Sequence, residues 1–188
     1  WDNAYAVHDL VEQGDELPSL ITAAEKAGTT DSVVMLGSTS KVTFAGAGIS
    51  FLATSTSQLA AFEKFLSNQM IGFDKVNQLR HVRFLKDSDG IKAHMAKHRD
   101  IIKPKFELVL NKLEKHLAGK NMASWNSPRG GYFISLDTRP GLATSIISMA
   151  ADAGVKLTPA GATFPYGKDP ENTNIRLAPT FPALVELE

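Results

Sequence analysis

Apolar positions along the first half of the chain recur in two rhythms that alternate. Pro18 predicts a helix start, where its missing N–H costs nothing; Leu20, Ile21 and Ala24 form the inner stripe and Gly28 ends the element. Residues 32–36, with adjacent β-branched side chains, predict a buried strand, and residues 37–41 a turn at its C-terminal edge. Residues 46–53 predict a second strand, and Leu59, Phe62, Phe65 and Leu66 give the following helix its apolar face. Residues 6–16 read as a polar loop. Strand and helix in alternation predict an α/β layer with a mostly parallel or mixed sheet.

After about residue 86 the rhythm changes to long helices. Residues 91–103 predict a basic helix that Pro104 interrupts, and Phe106, Val109, Leu110, Leu113 and Leu117 continue a clean helical stripe. A smaller α+β unit follows: a strand over 130–136, a helix over 142–153 closed by Gly154, and strands near 155–157 and 175–178. The predicted domains are therefore 1–88 and 89–188. The chain opens without Met in what reads as the end of a strand, and stops at Leu184-Val185-Glu186, where a helix starts. A fragment cut at both ends is expected, with the second domain truncated.

Composition changes this picture little. The 188 residues are 43% hydrophobic and 21% charged, so a folded core is expected. Lys+Arg and Asp+Glu are equal at 20 each, and no global field draws the chain to nucleic acid or to an anionic membrane. Any anion site must be local. With no cysteine, disulfides, thiolate metal sites and thiol catalysis are excluded, which fits a cytoplasmic setting. No apolar stretch reaches spanning length, and the opening residues lack the build of a secretory leader. No repeat is present.

Three clusters carry candidate chemistry. Lys41 follows Ser38-Thr39-Ser40 at a predicted strand end, where an amine can form a Schiff base once it loses its proton; on its own, an exposed lysine after a strand is ordinarily a solvated charge. Asp2 and Tyr5, in Asp2-Asn3-Ala4-Tyr5, either cap a turn or place a carboxylate and a phenol in one pocket, an electron-sink arrangement that pyridoxal phosphate requires. Arg176, in Asn174-Ile175-Arg176-Leu177-Ala178-Pro179, is either a structural ion pair or a planar fork for a carboxylate.

In this combination the chain resembles a fold-type I pyridoxal-phosphate enzyme of the aminotransferase class I/II family, over essentially its whole length. Asp2-Asn3-Ala4-Tyr5 resembles the family's Asp-x-x-Tyr, Ser38-Thr39-Ser40-Lys41 its Ser-x-Ser-Lys, Gly130-Gly131-Tyr132-Phe133 its Gly-Gly-Tyr-Phe strand, and Asn174-Ile175-Arg176 its Asn-x-Arg. Within the family it is most similar to the aspartate aminotransferase subgroup, also named MocR-type or alanine–glyoxylate aminotransferase-like. The resemblance implies an α/β fold, the second half of the large αβα domain plus an α+β C-terminal small domain. It implies pyridoxal 5'-phosphate as cofactor, with Lys41 as the catalytic amine, Asp2 on the ring nitrogen, Tyr5 on the phenolic oxygen, and Ser38 and Ser40 on the phosphate. Arg176 is implied on the substrate α-carboxylate. The expected reaction is transamination between an amino acid, aspartate first, and a 2-oxo acid, 2-oxoglutarate first, in a homodimer with no metal, nucleic acid or membrane partner. One departure stands out: where many members hold the phosphate with an arginine seven or eight residues beyond the lysine, this chain has Gly48 and Ile49.

Two alternatives stay open. One is a fold-type I lyase or decarboxylase; the other is the cofactor-sensing domain of a MocR-type transcription factor, which a winged helix upstream would reveal. Gly46-Ala47-Gly48 lacks the third glycine of a dinucleotide loop. His94 and His98, one helical turn apart among lysines, read as a solvated basic face. Arg80 and Arg83 read either as binders of a distal carboxylate, as interface residues, or as outward surface charges.

Overall fold

Ser19, one residue after the predicted start at Pro18, opens the first helix in the computed structural model, which describes residues 1–188. Its hydroxyl accepts from the Thr22 N–H (3.2 Å) and caps α1, Leu20–Ala27. Pro18 lies outside because a side-chain oxygen satisfies a first-turn N–H and a proline cannot. Gly28 closes the helix in the left-handed conformation (φ 69°) that costs glycine nothing. The chain divides into two units, residues 1–7 with 15–97, and residues 8–14 with 98–188.

In the first unit, β1 (Met35–Ser38) pairs antiparallel with β2 (Ser50–Ala53), Met35 opposite Ala53 and Ser38 opposite Ser50. On the other edge of β1, Asp2 pairs in parallel with Leu36, the Asn3 N–H donating to Leu36 O (2.7 Å) and the Leu36 N–H to Trp1 O (2.8 Å). The pairing is thus mixed. Both strands start later than their sequence pattern predicts. Residues 30–32 form a 3₁₀ turn after Gly28 instead of beginning β1, and Gly46, at φ 80°, belongs to the turn before β2. The helix α2 (Thr56–Leu66) forms as expected, yet it has no buried residue: Leu59, Phe62 and Phe65 are exposed. Asp74 caps α3 (Lys75–Leu85), accepting the Asn77 N–H at 2.9 Å. The core here is Val42, Leu85 and Met95, with Ile91 against it.

The long helix α4 runs unbroken over Ser88–Leu117, so Pro104 does not interrupt it as predicted. Proline removes a single backbone bond there, and apolar packing on both sides of it, at Ile102 and Phe106, holds the flanking turns together. In the second unit Phe106, 2% exposed, packs with Leu10 and Ile134, and Val109, Leu110 and Leu113 extend that stripe. Residues 8–14 are therefore not simply a polar loop. Leu10 is buried, its N–H donates to Arg129 O (2.8 Å), and Gly131 N–H donates to His8 O (2.8 Å).

Three strands, β3 (Ala123–Trp125), β4 (Ile134–Thr138) and β5 (Asn174–Leu177), form an antiparallel sheet in the order β3-β4-β5. Its second core joins Leu136, Ile175 and Ala143, the last from α5 (Ala143–Asp152). The strand predicted near 155–157 does not form; Leu157 packs against this core from irregular chain while Val155 stays exposed. A short helix, α6 (Leu184–Leu187), lies where the sequence predicts one. No helix is long and apolar enough to cross a membrane.

Candidate active site

The end of β1 builds the lysine turn. β1 carries Ser38 as its last residue, and the next five residues close a helical turn in which Thr39 O accepts from the N–H groups of Val42 (2.9 Å) and Thr43 (2.8 Å). Val42 is buried in the first-unit core, while its neighbour Lys41 is exposed. The Ser38 and Ser40 hydroxyls meet at 2.9 Å, and the Ser40 N–H donates to Ser38 Oγ at 3.1 Å. Two hydroxyls and an exposed amine thus share one short segment.

Asp2 stands beside this edge through its pairing with Leu36. It is exposed, and its Oδ1 accepts from the Ala4 N–H (3.1 Å), so it caps a turn as well as bordering β1. Tyr5 is half-buried in the same unit. The structure therefore brings Asp2, Ser38, Ser40 and Lys41 to neighbouring positions around one strand.

Gly48 is one of the two positions, with Ile49, where an arginine was expected and is missing. A Cβ built on Gly48 would lie 2.5 Å from Ser40 Oγ, 2.7 Å from Ser40 N and 2.9 Å from Ser40 Cα. The backbone of the loop before β2 presses directly on the serine next to Lys41, leaving no room for a side chain of any kind.

Arg176 belongs to the second unit, in β5 opposite Ser135. Its guanidinium lies 4.5 Å from the centroid of the Phe133 ring, a cation–π arrangement, and its Nε–H donates weakly to Thr158 Oγ1 (3.4 Å). The ion pairs Lys92–Asp89, Arg99–Asp100 and Lys103–Glu107 lie on α4. No acidic side chain of this chain pairs with Arg176. The guanidinium lines a cavity of about 350 Å³ with Phe133, Ser135, Thr163, Phe164 and Asn174. Asn174 is tied down by its own side chain, Nδ2 donating to Ser135 Oγ (2.9 Å) and Asp137 Oδ1 (2.8 Å). Just before β5, the Asp169 carboxylate accepts the N–H groups of Asn174 (2.8 Å) and Thr173 (2.7 Å), and these bonds, Asn174's first, hold its carboxyl below the ordinary range.

Sequence reasoning missed His81. From α3, its Nε2 lies 3.0 Å from Thr39 Oγ1 and 2.9 Å from Thr43 Oγ1, while its Nδ1 lies 2.9 Å from Asn77 O. It also misread His94, which is half-buried with Nε2 2.7 Å from Val42 O, and so not part of a solvated face. The periodicity of a helix face marks both as polar positions but not what they touch. Arg80 and Arg83 are exposed on α3 and line a cavity of about 400 Å³ with Phe44 and Phe84.

The sequence and the fold have counterparts among known proteins. A protein of Mycolicibacterium smegmatis named as an aminotransferase is 50% identical over 187 residues, covering 100% of this chain and 44% of its own length. The aspartate aminotransferase of Corynebacterium glutamicum is 45% identical over 188 residues, again 100% of this chain and 44% of the relative. A crystal structure of an aspartate transaminase from Corynebacterium glutamicum superposes with a TM-score of 0.95 at 44% identity, over 100% of this chain and 44% of that one. The chain thus spans less than half the length of the relatives it matches. Its architecture is the α/β fold type I of these enzymes, and with the aspartate amino-transferase family model matching residues 1–188, the chain belongs to that family.

Proposed function

We propose that this chain carries the lysine-bearing and carboxylate-binding parts of a pyridoxal-phosphate-dependent aminotransferase. The observation that carries the reading is the lysine turn: an exposed lysine just past the end of β1, two hydroxyls before it, and a carboxylate on the segment bridged to β1. That donor set fits the cofactor. Ser38 and Ser40 offer hydroxyl donors to a phosphate, Asp2 offers the negative charge that favours a protonated ring nitrogen, and Tyr5 offers a phenol to the ring oxygen. Pyridoxal phosphate, when bound, supplies the carbonyl that takes up an amino group and a ring that absorbs negative charge.

The chain's own residues do the rest. Lys41 would hold the cofactor and, as the unprotonated amine, would carry the proton between the substrate α-carbon and the cofactor's C4′. Arg176, stacked on Phe133 and without an acidic partner, takes the α-carboxylate as a two-pronged anion. Aspartate and 2-oxoglutarate are the proposed substrate pair, in a cytoplasmic homodimer; the relative from Corynebacterium glutamicum named aspartate aminotransferase supports that choice. Borohydride reduction of the holoenzyme followed by peptide mapping tests the assignment. The pyridoxyl label is expected on Lys41, and a label on another lysine overturns it.

A further inference from the structure

Lys41 stands in the turn from Thr39 to Thr43, so the backbone of that turn sets where its side chain starts. Two histidines from two different helices grip that turn on either side of the lysine. We propose that His81 and His94 are positioning residues that fix the reach of the Lys41 amine, an inference that rests on the Lys41 assignment above.

His81 comes first. A carbonyl oxygen only accepts, so the 2.9 Å approach to Asn77 O places a proton on Nδ1 and leaves Nε2 of the neutral ring as an acceptor. That nitrogen faces Thr39 Oγ1 at 3.0 Å and Thr43 Oγ1 at 2.9 Å, two residues before and two residues after Lys41. One hydroxyl donates to it while the other turns to a backbone carbonyl, Thr43 Oγ1 to Thr39 O (3.2 Å) or Thr39 Oγ1 to Ile49 O (3.5 Å). Thr39 is itself 8% exposed and its Oγ1 also accepts the Ile49 N–H at 2.7 Å. The ring therefore ties together both ends of the lysine turn and the loop that enters β2.

His94 works from α4. Its Nε2 faces Val42 O at 2.7 Å, so Nε2 donates, and the Phe84 ring stands edge-on to the imidazole (5.0 Å between centroids, 79°). Val42, immediately after Lys41, is 5% exposed among Leu85 and Met95. Between them the two rings hold residues 39, 42 and 43. Proton transfer depends steeply on such placement, since a displacement of about 1 Å costs on the order of a hundredfold in rate.

Two measurements test this. In the cofactor-free protein, amide hydrogen exchange of Val42, Thr43 and Ile49, whose N–H groups all bond to Thr39, is expected to speed up about tenfold or more in His81→Leu, with β4 and β5 unchanged. His81→Gln, which can place an amide oxygen where Nε2 accepts, is expected to restore much of the protection. In the holoenzyme, His81→Leu is expected to lower kcat about tenfold to a hundredfold, with little change in KM and a larger α-deuterium isotope effect, as proton transfer becomes more limiting. A purely structural role would leave that isotope effect unchanged. If His81→Leu fails to fold, Thr43→Val with Thr43→Ser as its rescue and His94→Leu carry the same readouts. Unchanged exchange in the turn, or an unchanged isotope effect, overturns the inference while borohydride labelling of Lys41 in the wild type still stands; a label elsewhere fails the underlying assignment instead.

Discussion

Gly48→Ala places one methyl group against Ser40, and the structure sets its cost. The new carbon would meet Ser40 N at 2.7 Å and Ser40 Cα at 2.9 Å as well as Oγ at 2.5 Å. A rotamer change relieves only the last of these, because the other two atoms are backbone. Overpacking of this kind costs about 1–3 kcal/mol. Displacing Ser40 also weakens its 2.9 and 3.1 Å bonds to Ser38 Oγ, about 1 kcal/mol more. Gly48 is not among the glycines with positive φ, so alanine recovers about 0.4–1 kcal/mol by restricting the unfolded chain. The net expectation is a loss of about 1–3 kcal/mol, read as a lower urea midpoint at constant m-value in the cofactor-free protein. Because Ser38 and Ser40 are the proposed phosphate donors, cofactor affinity measured by absorbance titration is expected to fall in step. Gly48→Arg, which puts a far larger side chain at one of the two positions where an arginine was expected, should do worse than alanine. Unchanged stability in Gly48→Ala, or tighter cofactor binding by Gly48→Arg, would refute the argument that the Gly48 backbone must approach Ser40.

Two further outcomes are expected. Arg176→Lys keeps the charge but loses the planar fork, so catalytic efficiency should fall sharply for amino acids and little for amines without a carboxylate; steady-state comparison of the two substrate types checks this, and equal losses would indicate a structural role. Asp169→Asn removes a carboxylate whose pKa is held down by N–H donors, chiefly that of Asn174. A depressed folded-state pKa contributes stability that is full above the unfolded value and disappears as pH falls through the folded one. The stability gap between Asp169→Asn and the wild type, followed by denaturant unfolding across pH, should therefore be open at neutral pH and close in acid. A gap constant with pH would contradict it.

Local chemistry was legible in the sequence wherever a residue acts through its own backbone or its immediate neighbours. Gly28 and Gly154, both at positive φ, close α1 and follow the end of α5 where the pattern placed them. The stripe from Phe106 to Leu113 packs as its spacing requires. The motif around Lys41 pointed to the right family because a run of residue types in fixed order is legible in a sequence without the fold. Tertiary structure decided what depends on partners distant along the chain. Strand ends moved to Met35, Ser50 and Ile134 because pairing, not residue type, terminates a strand. Leu10 left its polar surroundings for the core of Phe106 and Ile134, and the apolar face of α2 stayed exposed, since burial is a property of what lies opposite. Pro104 remained inside a helix because packing on both flanks outweighs one missing bond. His81 lies 42 and 38 residues beyond the Thr39 and Thr43 hydroxyls that its ring meets. No periodicity records a contact of that separation: a pattern reports which face a side chain occupies, and only the fold supplies the neighbour it meets there.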